Sequence, residues 1–265
     1  MVFITGPLYA GKQTFAMAQW GLSAQDFSTD PAAPCPRACP RHSRADLPVS
    51  AFFVQDFRSV SMDIFLIRHG MTPGNREHRY IGRTDEPLSE EGRAALLPPA
   101  WADQVESVCV SPMLRARQTA AILFSHARQI PVEGLHEMDF GQFEGKNFAQ
   151  LEHDPVYRAW VEGGCVAAAP GGEDMETLNR RCCAAFAPLV AQALAEGKPR
   201  LVVVAHGGTL MALLAEYARP RQDYFSGMTK NGCGWHLTAD AWPEGGLTLV
   251  EPICCVHGQV PGSRA

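Results

Sequence analysis

The hydrophobic pattern of the chain is dominated by three short runs in which every residue is apolar. They cover residues 64–67, 108–110 and 201–205. Strands that are apolar at every position are typical of a parallel sheet that is covered by helices on both faces. Each run is followed by a segment with the three- and four-residue apolar spacing of a helix. This alternation predicts an α/β fold, a three-layer sandwich in which a mainly parallel sheet is flanked by helices.

The same pattern predicts individual elements. The longest helix is expected within residues 171–197, and Ser89 is expected to cap the amino end of an earlier helix. Pro112 is expected near the first turn of the helix that follows the second apolar run. Residues 235–240 and 247–252 have the composition of late strands that pair in the antiparallel direction.

The amino-terminal part of the chain differs from the rest. We therefore predict an extension over residues 1–62 and a main domain over residues 63–265. Residues 30–48 are rich in proline and charge, which is typical of a linker. Residues 6–12 approximate the phosphate-binding loop pattern GxxxxGK[ST] and resemble the start of adenosylcobinamide kinases, but Gln13 replaces the hydroxyl residue. Because the extension is too short for a nucleotide-binding sheet, we predict a remnant or a docking segment.

Composition and charge narrow the possible partners. A net charge of −5 over 265 residues disfavours a nucleic-acid or anionic-membrane surface. The apolar runs are too short to span a bilayer, and the first residues lack the pattern of a signal peptide. The nine cysteines fit no disulfide framework and indicate reduced, mostly buried thiols. We expect a cytoplasmic protein with no nucleic-acid partner, no membrane contact and no metal site, since Cys35 and Cys39 have no second pair nearby.

Candidate catalytic side chains follow all three apolar runs. In chain order they are Arg68, His69, Arg115 and His206, and Gly207 follows His206 directly. The carboxyl ends of parallel strands meet at one edge of a sheet, so we expect these residues to lie together. An imidazole there can act as a nucleophile, while guanidinium groups and helix amino termini hold an anion. The sequence therefore predicts a phosphoryl pocket that needs neither a metal nor another cofactor.

A phosphoryl transfer also needs a proton donor for the departing alkoxide. The segment HEMDFGQFEG supplies three candidates, which are Glu137, Asp139 and Glu144. Burial beside apolar neighbours such as Met138 would raise the pKa of such a carboxyl group. The spacing alone does not choose between Glu137 and Asp139.

Six motifs cover roughly residues 63–215, and they occur in the order LIRHGMTPGN, YIGRTDEPLSEEG, SPMLRARQTA, HEMDFGQFEG, PGGED and VVVAHGG. They resemble the motifs of the histidine phosphatase superfamily, in its phosphoglycerate-mutase-like branch. The resemblance implies that His69 is the phosphorylated nucleophile and that Glu137 donates and then accepts a proton. It also implies that the phosphoryl group is bound by Arg68, Arg115, His206, Asn75 and the backbone N–H of Gly207. In the mechanism that we expect, His206 is protonated when it stabilises the equatorial oxygens.

Within the superfamily, the segment between Glu137 and His206 is compact, as in the phosphatases, whereas the sugar-phosphate mutases carry a longer insert. The strings RYIGRTDEPLSEEG, FGQFEGKNFAQL and NGCGWH look most similar to α-ribazole phosphatases of cobalamin assembly. The resemblance implies hydrolysis of a small phosphomonoester, namely α-ribazole 5'-phosphate or adenosylcobalamin phosphate. One alternative is a broad-specificity or sugar-phosphate phosphatase or a mutase of the same superfamily. Another is a catalytically silent binding module.

Overall fold

The structure is a computed structural model, and it describes residues 61–240 and 242–258. Apart from its last two residues, the predicted extension over residues 1–62 lies outside the described residues, as does its phosphate-loop-like segment. No helix in the described part of the chain is long and apolar enough to cross a bilayer.

A seven-stranded sheet and its helices make up the described residues. The strands are β1 (Asp63–Arg68), β2 (Ser107–Val110), β3 (Arg128–Pro131), β4 (Arg200–Ala205), β5 (Ala218–Arg219), β6 (Cys233–Thr238) and β7 (Leu247–Cys254). The α-helices are α1 (Pro73–Arg76), α2 (Glu90–Ala95), α3 (Leu114–Leu123), α4 (Phe148–Leu151), α5 (Pro155–Glu162), α6 (Met175–Ala195) and α7 (Gly207–Tyr217). Short 3-10 helices lie at Ala102–Gln104, Glu133–Leu135, Gly141–Phe143 and Tyr224–Gly227.

The sheet order β3-β2-β4-β1-β6-β7-β5 confirms the predicted mainly parallel sheet. The strands β1, β4, β2 and β3 are parallel to one another, and β5 is parallel to β7. The strand β6 runs antiparallel to both β1 and β7, as expected for the late strands. The carboxyl ends of β1, β4 and β2 therefore lie side by side at one edge of the sheet.

Alternate side chains of the central strands enter two separate cores, which confirms the three layers. Ile64 and Leu66 belong to the core that α6 and α7 complete. Phe65 and Ile67 belong to the opposite core, which contains Ala116 of α3. Because successive side chains of a strand point to opposite faces, a strand that is apolar at every position serves both cores.

Several elements differ from the sequence prediction. The edge strand β3 and the two-residue strand β5 were not predicted, since both are too short to show a pattern. The helix α3 begins at Leu114 with Met113 as its N-cap, so Pro112 lies directly before the N-cap, near the first turn as expected. A residue that precedes proline disfavours the helical conformation. Ser111 accordingly continues the pairing of β2 with β4, and its N–H donates to Val204 O at 3.0 Å. The predicted N-cap is confirmed: Ser89 Oγ accepts a hydrogen bond from Gly92 N–H at 2.9 Å.

The cysteines also depart from the expectation of reduced thiols. Cys233 and Cys254 form a disulfide between β6 and β7. The antiparallel register places these two residues directly opposite each other, with their Cα atoms 4.0 Å apart. The sequence hides this proximity because 21 positions separate the two residues along the chain. The remaining cysteines of the described part are mostly buried, and burial raises the pKa of the Cys109 thiol to about 11.

Candidate active site

The parallel pairing of β1, β4 and β2 brings their terminal residues together. His69, His206 and Ser111 each follow directly after one of these strands, and all three are buried. Arg115 is fully buried one residue into α3, and Arg68 is 2% exposed. The polar side chains lie in a dry environment, where electrostatic interactions are stronger than in water.

The hydrogen bonding of His69 leaves one ring nitrogen available for chemistry. Its Nδ1 atom lies 2.7 Å from Gly70 O. Since a carbonyl oxygen only accepts hydrogen bonds, Nδ1 carries the proton and Nε2 keeps its lone pair. Burial and then the charges of Arg115 and Arg68 hold the pKa of His69 well below its ordinary value. The imidazole is therefore neutral, as a nitrogen nucleophile must be.

The two arginines are anchored by backbone carbonyls instead of carboxylates. Arg68 Nη1 donates to Thr229 O at 2.8 Å, and Arg115 donates to Thr84 O at 2.8 Å and to Gly82 O at 2.9 Å. The Nε atoms of both arginines are buried and lack a hydrogen-bond partner among the described residues. Burial lowers the pKa of Arg68 to about 10, while the Glu137 charge opposes that shift. Two buried cations held in this way form a site for an anion.

His206 faces this cationic group from the end of β4. Its Nε2 atom lies 2.6 Å from Ser111 Oγ, and its buried Nδ1 atom has no partner within residues 61–240 and 242–258. Burial and the charges of Arg115, His69 and Arg68 hold the pKa of His206 well below its ordinary value. The ring is therefore neutral in the free protein, and the protonated His206 that is expected to stabilise the transferring phosphoryl group stays a prediction. If the Ser111 hydroxyl donates to Nε2, then Nδ1 carries the proton and is a donor for a phosphoryl oxygen.

Glu137 lies in the same pocket, 5% exposed. Its carboxylate accepts from Met138 N–H at 2.9 Å and from Gly208 N–H, in the first turn of α7, at 3.1 Å. A Cβ atom at position 208 would collide with the Glu137 carboxylate, so glycine permits this close approach. Glu137 is therefore placed beside His206 by the start of the same helix.

The other two carboxylate candidates hold loops in place. Asp139 forms an ion pair with Arg83 at 3.1 Å and accepts from Gly141 N–H at 2.9 Å. Glu144 Oε1 accepts from Gly82 N–H at 2.7 Å and from Thr84 N–H at 2.9 Å. Because the carbonyls of that same loop bind Arg115, Glu144 positions the arginine indirectly. The geometry therefore favours Glu137 over Asp139 as the proton donor.

Asn75 and Gly207 lie at two further points around the pocket. Asn75 Oδ1 accepts from Asn231 Nδ2 at 2.9 Å and from Thr72 N–H at 3.3 Å. With its oxygen engaged in this way, the Asn75 amide has its N–H donors left for a ligand. Gly207 is the first residue of α7, where backbone N–H groups have no acceptor within the helix. Both residues therefore have donors for a phosphoryl group, and that role stays a prediction.

Sequence reasoning missed three supporting residues, which are Ser111, Thr119 and Asn231. Thr119 Oγ1 accepts from Gly70 N–H at 2.9 Å and donates to Arg115 O at 2.7 Å, so it joins α3 to the turn after β1. Asn231 Nδ2 also lies 3.2 Å from His69 O. The signal for Ser111 was available, because it follows β2 as the two histidines follow β1 and β4.

The chain is similar to several known proteins. Residues 64–240 match the family described as histidine phosphatase superfamily (branch 1). A 2,3-bisphosphoglycerate-dependent phosphoglycerate mutase 2 of Gloeobacter violaceus is 32% identical over 171 residues, which are 58% of this chain and 74% of that protein. An adenosylcobalamin/α-ribazole phosphatase of Salmonella typhimurium is 30% identical over 184 residues, which are 65% of this chain and 88% of that protein.

A solved structure shares the fold. The phosphoglycerate mutase of Bacillus anthracis superposes with a TM-score of 0.56 at 20% identity, over 72% of this chain and 92% of that one. The family match spans all the motifs from the strand β1 to the strand β6. The chain belongs to the histidine phosphatase superfamily, branch 1.

Proposed function

We propose that this chain hydrolyses phosphomonoesters through a phosphohistidine on Nε2 of His69. One observation carries the proposal. Three buried nitrogen atoms, Arg68 Nε, Arg115 Nε and His206 Nδ1, have no hydrogen-bond partner in the described part of the chain. Buried polar groups are normally paired, so unpaired donors that surround a neutral imidazole fit a bound phosphoryl group. A phosphatase activity also agrees with the family to which the chain belongs.

The proposed reaction has two steps. In the first, His69 Nε2 forms a bond to phosphorus while the bond from phosphorus to the alcohol oxygen breaks, and protonated Glu137 gives its proton to that oxygen. In the second, Glu137 takes a proton from water as the water oxygen attacks phosphorus, and the P–N bond to His69 breaks. The arginines, and His206 in the tautomer that carries its proton on Nδ1, stabilise the equatorial oxygens in both transition states.

We further propose that the substrate is α-ribazole 5'-phosphate or adenosylcobalamin phosphate, which places the reaction in cobalamin assembly. The Salmonella relative, which is named adenosylcobalamin/α-ribazole phosphatase, supports this choice. The Gloeobacter relative is named as a mutase, so phosphoglycerate is the competing substrate. A silent binding module fits less well, because the nucleophile, the cationic groups and the carboxylic acid are all present together.

Turnover measurements distinguish these functions. We expect phosphate release from α-ribazole 5'-phosphate with a kcat/KM at least about tenfold above that for ribose 5-phosphate and other small phosphomonoesters. Equal values across the panel would support a generalist phosphatase. Interconversion of 3- and 2-phosphoglycerate without phosphate release would indicate a mutase. Absence of both activities in folded protein would leave the binding module.

A further inference from the structure

A cavity lies on the flank of the proposed phosphoryl pocket. It has a volume of about 480 Å³ and lies between the chain around Glu137 and the amino end of α6. His136, which lines it, directly precedes Glu137, and its Nδ1 atom lies 3.0 Å from Glu137 O. Arg83, which also lines it, directly follows Gly82, whose carbonyl holds Arg115. The size is that of a small-molecule site, and the position is beside the group proposed to protonate the departing alcohol.

The charged groups of this cavity are mostly acidic. Its wall contains Asp139, Glu173 and Asp174, against the single guanidinium of Arg83. The Arg83 side chain is 73% exposed and is paired with Asp139. Glu173 is paired with Arg181 at 2.7 Å. After these pairings, the wall has a net negative charge that Asp174 contributes.

Asp174 is fixed in place and ionised. It is the N-cap of α6, and its Oδ1 atom accepts from Thr177 N–H at 2.7 Å. That hydrogen bond lowers the pKa of its carboxyl group. Within the described residues, no ion pair engages Asp174. The Thr177 side chain also bonds the carboxylate, and the charge of Arg180 acts on it. A carboxylate has about four lone pairs, so Asp174 can still accept a hydrogen bond from a ligand hydroxyl, while its charge repels an anion.

We infer that this cavity receives the alcohol part of the substrate and selects neutral or cationic leaving groups that carry hydroxyl donors. A ribosyl group meets this requirement, whereas glycerate, with its carboxylate, does not. The inference rests on the proposed function, because it assumes that a phosphoryl group occupies the adjacent pocket. A second anion near Asp174 is expected to weaken kcat/KM by about one order of magnitude.

Two substrates of similar size isolate this effect. Glycerol 3-phosphate and 3-phosphoglycerate differ in that the second has a carboxylate where the first has a hydroxymethyl group. We expect kcat/KM for glycerol 3-phosphate to exceed that for 3-phosphoglycerate by about tenfold. In Asp174→Asn the ratio of these two kcat/KM values should decrease by about fivefold, since asparagine keeps the N-cap hydrogen bond and removes the charge.

A second N-cap aspartate provides the matched control. Asp154 caps α5 through Val156 N–H and does not line the cavity. Asp154→Asn should retain both the wild-type activity and the wild-type ratio. p-Nitrophenyl phosphate separates the two proposals, since its turnover tests the phosphoryl pocket alone. Suppose that p-nitrophenyl phosphate is hydrolysed but the ratio of kcat/KM for glycerol 3-phosphate to that for 3-phosphoglycerate is near one, or that this ratio is the same in Asp174→Asn as in the wild type. The inference then fails and the proposed function stands. If folded protein hydrolyses no phosphomonoester, the proposed function fails and the inference with it.

Discussion

Lowering the pH should destabilise this protein because two buried histidines are neutral in its folded state. Burial is the main cause of the lowered pKa of both His69 and His206, and the charges of Arg115 and Arg68 add to it. In the unfolded chain these rings titrate near the ordinary value of 6.5. Below that pH the unfolded state therefore binds more protons than the folded state. The free energy of unfolding must then rise with pH, and it is lost as the pH falls below 6.5.

The magnitude follows from the number of protons. Each histidine that stays neutral in the folded protein costs about 1.4 kcal/mol for every pH unit below its unfolded pKa. Two such residues together cost about 2.8 kcal/mol per pH unit. This loss is a large part of a typical domain stability of about 5–15 kcal/mol. It should extend down to the lowered pKa values of the folded state.

Urea unfolding between about pH 7.5 and pH 5.5, in a buffer free of phosphate, measures this linkage. In His206→Gln, the dependence of the unfolding free energy on pH should be shallower than in the wild type by about 1.4 kcal/mol per unit below 6.5. His153, whose side chain is 95% exposed, gives the control, and His153→Gln should retain the wild-type dependence. An identical pH dependence in His206→Gln and the wild type would refute the assignment of a neutral buried ring.

Three further predictions test the parts of the site and the domain boundary. Ser111→Ala removes the hydroxyl that lies 2.6 Å from His206 Nε2, so kcat/KM should fall by about 5- to 100-fold while the secondary structure is unchanged. An unchanged kcat/KM would contradict the role of Ser111 in positioning His206. In Glu137→Ala, the rate of burst-phase phosphorylation of the enzyme by an alkyl phosphate should fall by about 10²- to 10⁴-fold. The rate with p-nitrophenyl phosphate should fall much less, because its leaving group barely needs a proton. Equal losses of rate with the two substrates would argue against Glu137 as the acid. A chain that begins at Ser61 should fold and keep kcat within about twofold, because all the proposed catalytic residues and both cores follow that position; an insoluble or inactive product would show that the extension contributes.

The central fold could be predicted because its strands are apolar throughout. A parallel strand that is buried on both faces leaves a sequence signal that an edge strand does not. The edge strand β3 has only four residues, and β5 has two, so neither shows a period. The disulfide depends on the register between β6 and β7, which the spacing of the cysteines does not reveal.

The site could be predicted where it depends on strand ends. Arg68, His69 and His206 follow directly from the parallel sheet, because the sheet brings their strand ends together. Glu137 lies in an irregular segment, so its place beside Gly208 emerges only from the structure. The neutral state of His206 could not be predicted either, since it depends on the extent of burial and on the nearness of two guanidinium groups. Hydrogen bonds between residues distant in sequence, such as that from Asn231 to the turn after β1, leave no local pattern.

The most direct test of the account is to trap the phosphoenzyme. Rapid quench of the wild-type protein with a ³²P-labelled phosphomonoester should yield a covalent label that is labile in acid and stable in base, as a phosphohistidine is. His69→Ala should give no label and almost no turnover, since no other group replaces the buried imidazole. Circular dichroism of the variant serves as the control for its folding. An equal label in His69→Ala, or turnover near that of the wild type, would contradict the phosphohistidine mechanism.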